Sequence, residues 1–269
     1  MPNPLFPSAV TLLDKAVATA ARRTQVPFWP SFVRAKEGDA STPPLARLIQ
    51  GGRGGEVRLK LYLCITMMAT AKPHDIRRPP TPQLWSRMLA LPPDTGPRRV
   101  NSNLKWLAAN KFIELKPRRG NTPMIQMLSL DAPPIPPSLN MPAVPYQRAS
   151  AQARYIGVPT EFWSRGWIVE LGATAIALML ILLESQGGYD RPRYVPRERR
   201  EAYGVSHNTW TQGRKDLERH GLLTVGRTPQ GGDFDYTRMR NTYWINEKRL
   251  HTPPGAVSHH SADPTIPAQ

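Results

Sequence analysis

Apolar positions along this chain are spaced in two ways. Two stretches are apolar almost throughout. One begins at Glu56 and carries Val57, Leu59, Leu61, Tyr62, Leu63, Ile65, Met67 and Met68 before Pro73; the other is the 13-residue run Leu171 to Leu183. Both outlast a strand, so each predicts a helix buried on every side. Other stretches repeat every three or four residues. Val100, Leu104 and Leu107 predict a helix from about Arg98 to Asn110. Trp210, Gly213 and Leu217 predict one from His207 to His220, with Gly221 as its stop. Shorter helices are expected after Thr81-Pro82, where Thr caps and Pro suits the first turn, and from Pro196 to Tyr203. Ser8 to Ala21 places Val10, Leu13, Val17 and Ala20 on one stripe. Phe112 to Leu115 and Met124 to Leu128 read as strands joined by the basic turn Lys116 to Asn121. Leu222 to Val225 and Thr242 to Ile245 read as strands joined by a longer hairpin, Gly226 to Asn241.

The same order of elements therefore occurs twice. Val100 and Trp210, Lys105 and Lys215, Leu107 and Leu217, and Phe112 and Leu222 are each 110 residues apart. Between the copies, Asp131 to Pro145 holds six prolines in 15 residues, a stiff linker. The expected organisation is an N-terminal extension with one short helix (1–49), a first domain (50–131), a proline-rich linker (132–149), a second domain (150–250) and a disordered tail (251–269). The fold class is α+β, mostly helical. The Gly51-Gly52-Arg53-Gly54-Gly55 run lacks the Gly-Lys-Ser/Thr ending of a phosphate-binding loop and reads as a lead-in.

Charge changes the picture more than composition does. Thirty-six Lys and Arg against 20 Asp and Glu give a net charge of +16, an excess suited to a polyanion whose counterions are released on binding. A single cysteine, Cys64, excludes an intrachain disulfide and a cysteine-based zinc site. No basic region precedes an apolar run at the N-terminus, and the longest apolar run is short for a bilayer. A cytoplasmic protein, associated with the nucleoid when bound, is expected.

One segment carries a resemblance. Tyr203-Gly204-Val205-Ser206-His207-Asn208-Thr209-Trp210, followed by Leu217-Glu218-Arg219-His220-Gly221-Leu222-Leu223, resembles the helix-turn-helix of bacterial winged-helix regulators. In that family a Gly-Val-Ser turn leads into the recognition helix, and a Leu-Glu-x-x-Gly-Leu segment closes it before the wing. Arg200 departs from the pattern, standing where a small residue is usual. Leu104 to Ile113 matches more loosely, after a proline-rich turn. The resemblance implies two winged-helix domains in tandem, an architecture similar to that of plasmid replication initiators.

Such a domain packs one face of its last helix and turns the other to base edges in the major groove. In the first copy Arg98, Ser102 and Lys105 lie opposite the apolar stripe, flanked by Arg99 and Asn101. In the second, Asn208, Thr211, Gln212 and Lys215 point outward, with Ser206 and His207 at the helix start. Arg118, Arg119, Asn121, Arg238 and Arg240 lie on the hairpins. Arg suits guanine, Asn and Gln suit adenine, and Lys and Thr often hold phosphate. Arg191, Arg193, Arg197, Arg199 and Arg200 form a second basic cluster, open to two readings: phosphate contact or a solvated face.

Base stacking on the tryptophans is disfavoured, because Trp85, Trp163, Trp167, Trp210 and Trp244 sit at core-like spacing; only Trp106 falls near a polar face. His74-Asp75-Ile76-Arg77 has the His-x-x-Arg spacing of tyrosine recombinases but lies in a Pro-flanked loop. No other catalytic constellation is present, so no enzyme, cofactor, metal or small-molecule ligand is expected. The expected partner is double-stranded DNA, with a second copy of the chain left open and no membrane. The expected role is a transcriptional regulator; the alternatives are a replication initiator of a plasmid or integrative element, and an architectural or protein-binding winged-helix protein. Two readers on a stiff linker would gain affinity from their effective concentration.

Overall fold

The computed structural model describes residues 3–20, 24–35, 41–50, 54–130, 155–189, 191–230 and 238–255. The fold is α+β, about half helical, with small antiparallel sheets. The chain begins with α1 (Phe6–Thr19), β1 (Gln25–Phe28), α2 (Pro30–Val33) and α3 (Pro44–Ile49). The first half follows: α4 (Gly55–Met68), β2 (Asp75–Ile76), α5 (Pro82–Met88), α6 (Gly96–Ala109), β3 (Ile113–Arg118) and β4 (Asn121–Met127). After β5 (Ile156–Pro159), α7 (Glu161–Ser164) and α8 (Trp167–Glu170) comes the second half. It comprises α9 (Ala173–Gln186), β6 (Arg193–Tyr194), α10 (Arg197–Ala202), α11 (His207–Arg219), β7 (Leu223–Gln230) and β8 (Arg238–Ile245). A 3-10 turn, Glu247–His251, ends the described fold. The sheets have matching strand orders, β2-β4-β3 and β6-β8-β7.

Local chemistry explains the boundaries. Thr81 accepts a hydrogen bond from the Leu84 amide and Pro82 opens α5, so a missing N–H falls where no acceptor exists. The third helices end identically: the Phe112 amide donates to the Leu107 carbonyl and the Leu222 amide to the Leu217 carbonyl, each at 2.9 Å. This closure needs a left-handed residue just past the helix. Gly221 supplies it at φ 68°, and Lys111 takes the equivalent place at φ 63°, where a side chain adds strain.

α4 and α9 are mostly apolar and are buried on every side along nearly their whole length. They pack on one another, and one continuous core runs through both halves. The meeting is locally two-fold. β1 and β5 hold equivalent places, each leading into a one-turn helix, and they pair antiparallel over their full length, Gln25 with Pro159 and Phe28 with Ile156. α3 packs on α9, and reciprocally Lys60 of α4 donates to the Val169 carbonyl of α8 at 3.0 Å. α1 packs on α5 of the first half and on α7, just ahead of the second. Trp85, Trp163 and Trp167 are fully buried; truncating any of them to alanine costs about 3–5 kcal/mol.

The described residues of 1–49 form three helices and a strand, against the one short helix expected there. The helix expected over Ser8 to Ala21 begins earlier, at Phe6, because Pro7 suits a first turn. The hairpin strands are longer than their apolar residues indicate, so that only Arg119 and Gly120 remain between β3 and β4. The linker expected over 132–149, the Gly51–Arg53 segment and residues 256–269 of the expected tail lie outside the described residues. The start of that tail is held instead, with His251 in the 3-10 turn and the Thr252 carbonyl accepting from Trp167 Nε1 at 3.0 Å.

Candidate nucleic-acid interface

α6 and α11 are the amphipathic members of the two halves. α6 buries Val100, Asn103, Leu104 and Leu107; α11 buries Trp210, Gly213 and Leu217. Their opposite faces remain in solvent: Arg98, Asn101, Ser102 and Lys105 on α6, and His207, Asn208, Gln212 and Lys215 on α11, are exposed. Gly213 holds α11 in place by its lack of a side chain. A Cβ there would lie 2.5 Å from the Thr174 carbonyl oxygen of α9, so only glycine permits this approach. Its counterpart, Asn103, is buried and donates through Nδ2 to the Arg99 carbonyl at 2.8 Å.

Other predicted contacts are partly engaged within the protein. Ser206 is exposed, but its hydroxyl caps α11 by accepting from the Thr209 amide at 3.1 Å. That bond caps the start of the helix, whatever else the hydroxyl touches. Thr211 is half-buried, with its hydroxyl 3.5 Å from His207 Nε2, and Arg99 is half-buried. On the first hairpin Arg118, Arg119 and Asn121 are exposed; Asn121 Nδ2 donates to the Arg119 carbonyl at 3.1 Å. Arg118 donates to the Arg77 carbonyl, which ties the segment of exposed Arg77 and Arg78 to that hairpin. On the second hairpin Arg238 and Arg240 are exposed, Arg240 lying over the Tyr194 ring at 5.9 Å.

Arg77 and Arg227, which is exposed on β7 opposite Asn241, extend the basic surface beyond the residues expected from sequence. Only their charge signals them, since neither falls on a helix where a face can be computed. His74 is buried with Nδ1 3.1 Å from the Ala69 carbonyl oxygen.

The arginine cluster around α10 divides. Arg199 pairs with Glu184 of α9 at 2.9 Å and hydrogen-bonds the Tyr203 hydroxyl at 3.0 Å. Arg34, at the end of α2, reaches the same carboxylate at 3.3 Å, and the Tyr203 hydroxyl donates to it at 2.7 Å. Burial works against a charge on Glu184, but the bonds from Tyr203 and Arg199 and the nearby positive charges outweigh it, holding the carboxyl below its usual range. Burial first, and then the Glu184 charge, push the Tyr203 hydroxyl well up. Arg200 donates to the Tyr243 hydroxyl at 2.8 Å and lies 4.6 Å from the Trp210 ring centroid, roofing the core. Arg199 and Arg200 are thus packing residues. Arg191 and Arg197 are exposed, and Arg197 pairs with Glu201.

Trp85, Trp163, Trp167 and Trp210 are buried and Trp244 is half-buried. Trp106 stacks on Phe112 and carries the Arg58 guanidinium on its ring. Burial pushes the Cys64 thiol up to about 12, so it is inert. Among the described residues no helix is long and apolar enough to cross a membrane, and no group of three or more His, Cys, Asp or Glu converges as a metal site would require. The chain matches no protein-family model, no curated protein and no solved structure.

Proposed function

We propose that the chain binds double-stranded DNA sequence-specifically through two winged-helix modules, with α6 and α11 as recognition helices and the β3–β4 and β7–β8 hairpins as wings. The observation that carries this reading is the repetition. Three helices and a three-stranded sheet of one strand order occur twice. Each time the last helix buries one stripe and exposes a polar, basic one beside a hairpin rich in arginine. An exposed polar helix face alone is ordinary; two of them in the same setting, on a chain of net charge +16, are what a polyanion with base edges requires.

The role that follows first is transcriptional regulation from an operator read by both helices. A second reading, replication initiation, is favoured by the shared core. A chain whose two readers are fixed by packing is complete as a monomer and can fill each of several origin repeats independently. Selection of bound genomic fragments separates the two: a regulator returns a promoter site, an initiator a set of direct repeats.

The DNA reading is tested by titrating salt against duplex affinity. Roughly six phosphate contacts give a log–log slope near −5; a flat response overturns it. Replacing Arg118 and Arg119 with alanine is expected to lower the slope by about 2 and to weaken all sequences alike. Replacing Asn208 or Arg98 is expected to relax the preference at one base pair.

A further inference from the structure

Arg58 of α4 is only 5% exposed, and among the described residues it has no hydrogen bond or ion pair. Its guanidinium rests on the Trp106 ring, 4.1 Å from the centroid. Lys60, two positions on and as deeply buried, shows what a satisfied cation looks like here: it holds Glu56 at 2.7 Å and the Val169 carbonyl at 3.0 Å. A cation withdrawn from water without an anion is costly. Burial already works against the charge on Arg58.

The guanidinium is aimed at the start of its own helix. Its Nη2 and Nε lie 3.2 and 3.5 Å from where a Cβ on Gly54 would stand. That end of a 14-residue helix has no side-chain cap; its first amides have no partner within the helix and carry the positive end of the helix dipole. Glu56, the acid of the first turn, faces the other way: it lies roughly 200° from Arg58 around the helix and is held by Lys60. α6 forms the adjoining wall. Asn103 Oδ1 is 3.4 Å from the same Gly54 position, and the exposed Ser102 and Lys105 adjoin Asn103 and Trp106 along that helix.

We infer that the N-terminal end of α4, with Arg58, holds a backbone phosphate of the duplex that α6 reads. The inference rests on the DNA-binding reading above. Stacking on the indole fixes the plane of the guanidinium, and a preset fork of N–H donors suits phosphate in a way a lysine ammonium does not.

The test uses the full chain and its selected duplex, with single phosphates replaced in turn by uncharged methylphosphonate. In the wild type, one position flanking the α6 segment is expected to weaken binding about tenfold, as for a charge-assisted hydrogen bond. Arg58→Gln is expected to weaken the natural duplex by a similar factor, to lower the salt slope by about 0.9, and to make that one methylphosphonate silent. Without DNA, Arg58→Gln is expected to melt no lower than the wild type, since an unpaired buried charge has been removed; if it melts early, Arg58→Lys replaces it in the same scan. Additive losses at every phosphate overturn the inference. If inorganic phosphate raises the melting temperature of the wild type alone while the scan is additive, the site holds a free anion and the backbone assignment fails. If the wild type binds no duplex, it is the DNA reading that fails.

Discussion

The two halves share one chain path but hold it together differently. In the second half α11 lies against α9 at Gly213 with no side chain between; in the first, Asn103 fills the equivalent place. The second half locks α9 to α10 through Glu184, Arg199 and Tyr203. The first has Thr66 in the corresponding turn of α4, its hydroxyl donating to the Tyr62 carbonyl of its own helix. Past the third helix, glycine takes the left-handed turn in the second half and lysine in the first. One topology thus tolerates two sets of fastenings. The second half, which carries the Gly-Val-Ser segment, uses the tighter ones.

The comparison can be broken most forcefully at Gly213. Gly213→Val drives side-chain atoms into the Thr174 carbonyl and is expected to cost about 3 kcal/mol in denaturant unfolding, against about 1 kcal/mol for Asn103→Ala. Equal losses would show that the close approach has no special weight. Glu184→Gln comes next, at about 2 kcal/mol at neutral pH, because three donors lose their charged acceptor. Its sign with pH is fixed: a carboxyl held below its ordinary value of 4.5 stabilises above that value, and the contribution is lost as pH falls through the lower, folded-state value. The wild type and Glu184→Gln should therefore converge in stability as pH falls through that lowered value, and a gap of constant size would refute the account.

Exchanging the turn residues sharpens the contrast further. Gly221→Lys is expected to lose about 1.5 kcal/mol and Lys111→Gly to gain about 1 kcal/mol, both read from thermal melts. The smallest effect is expected from Ser206→Ala, which removes the α11 cap for about 1 kcal/mol or less. A change of base preference in that variant would show that the hydroxyl also reaches DNA.

What sequence reveals here depends on how far a residue lies from whatever holds it. The helices α4, α6, α9 and α11 were legible because 13 or 14 residues give a period several turns to declare itself. β1, α2, α7 and α8 have four residues each; Phe28-Trp29-Pro30 shows apolar density but no period, and β1 finds its partner only at residues 156–159. The outward faces of α6 and α11 followed from helical geometry alone. Geometry could not separate Ser206 as a cap from Ser206 as a contact. It also could not remove Arg199 and Arg200 from the basic cluster, because Glu184 and Tyr243 stand 15 and 43 residues from them. Arg58 was hidden for the same reason: on a helix buried all round, a cation on an aromatic ring looks in sequence like one paired with an anion.

The β1–β5 pair also bears on how the protein is made. Val26 waits for Val158, so the ribosome must deliver more than a hundred further residues before the first strand can close its ladder. Until then α4 keeps the apolar flank that α9 will cover. Long-range closures of this kind are slow and leave sticky surface exposed in the interim. A nascent chain halted before α9 should therefore be the species that chaperones hold and proteases remove, and severing the molecule between its halves should yield two insoluble pieces rather than two small proteins.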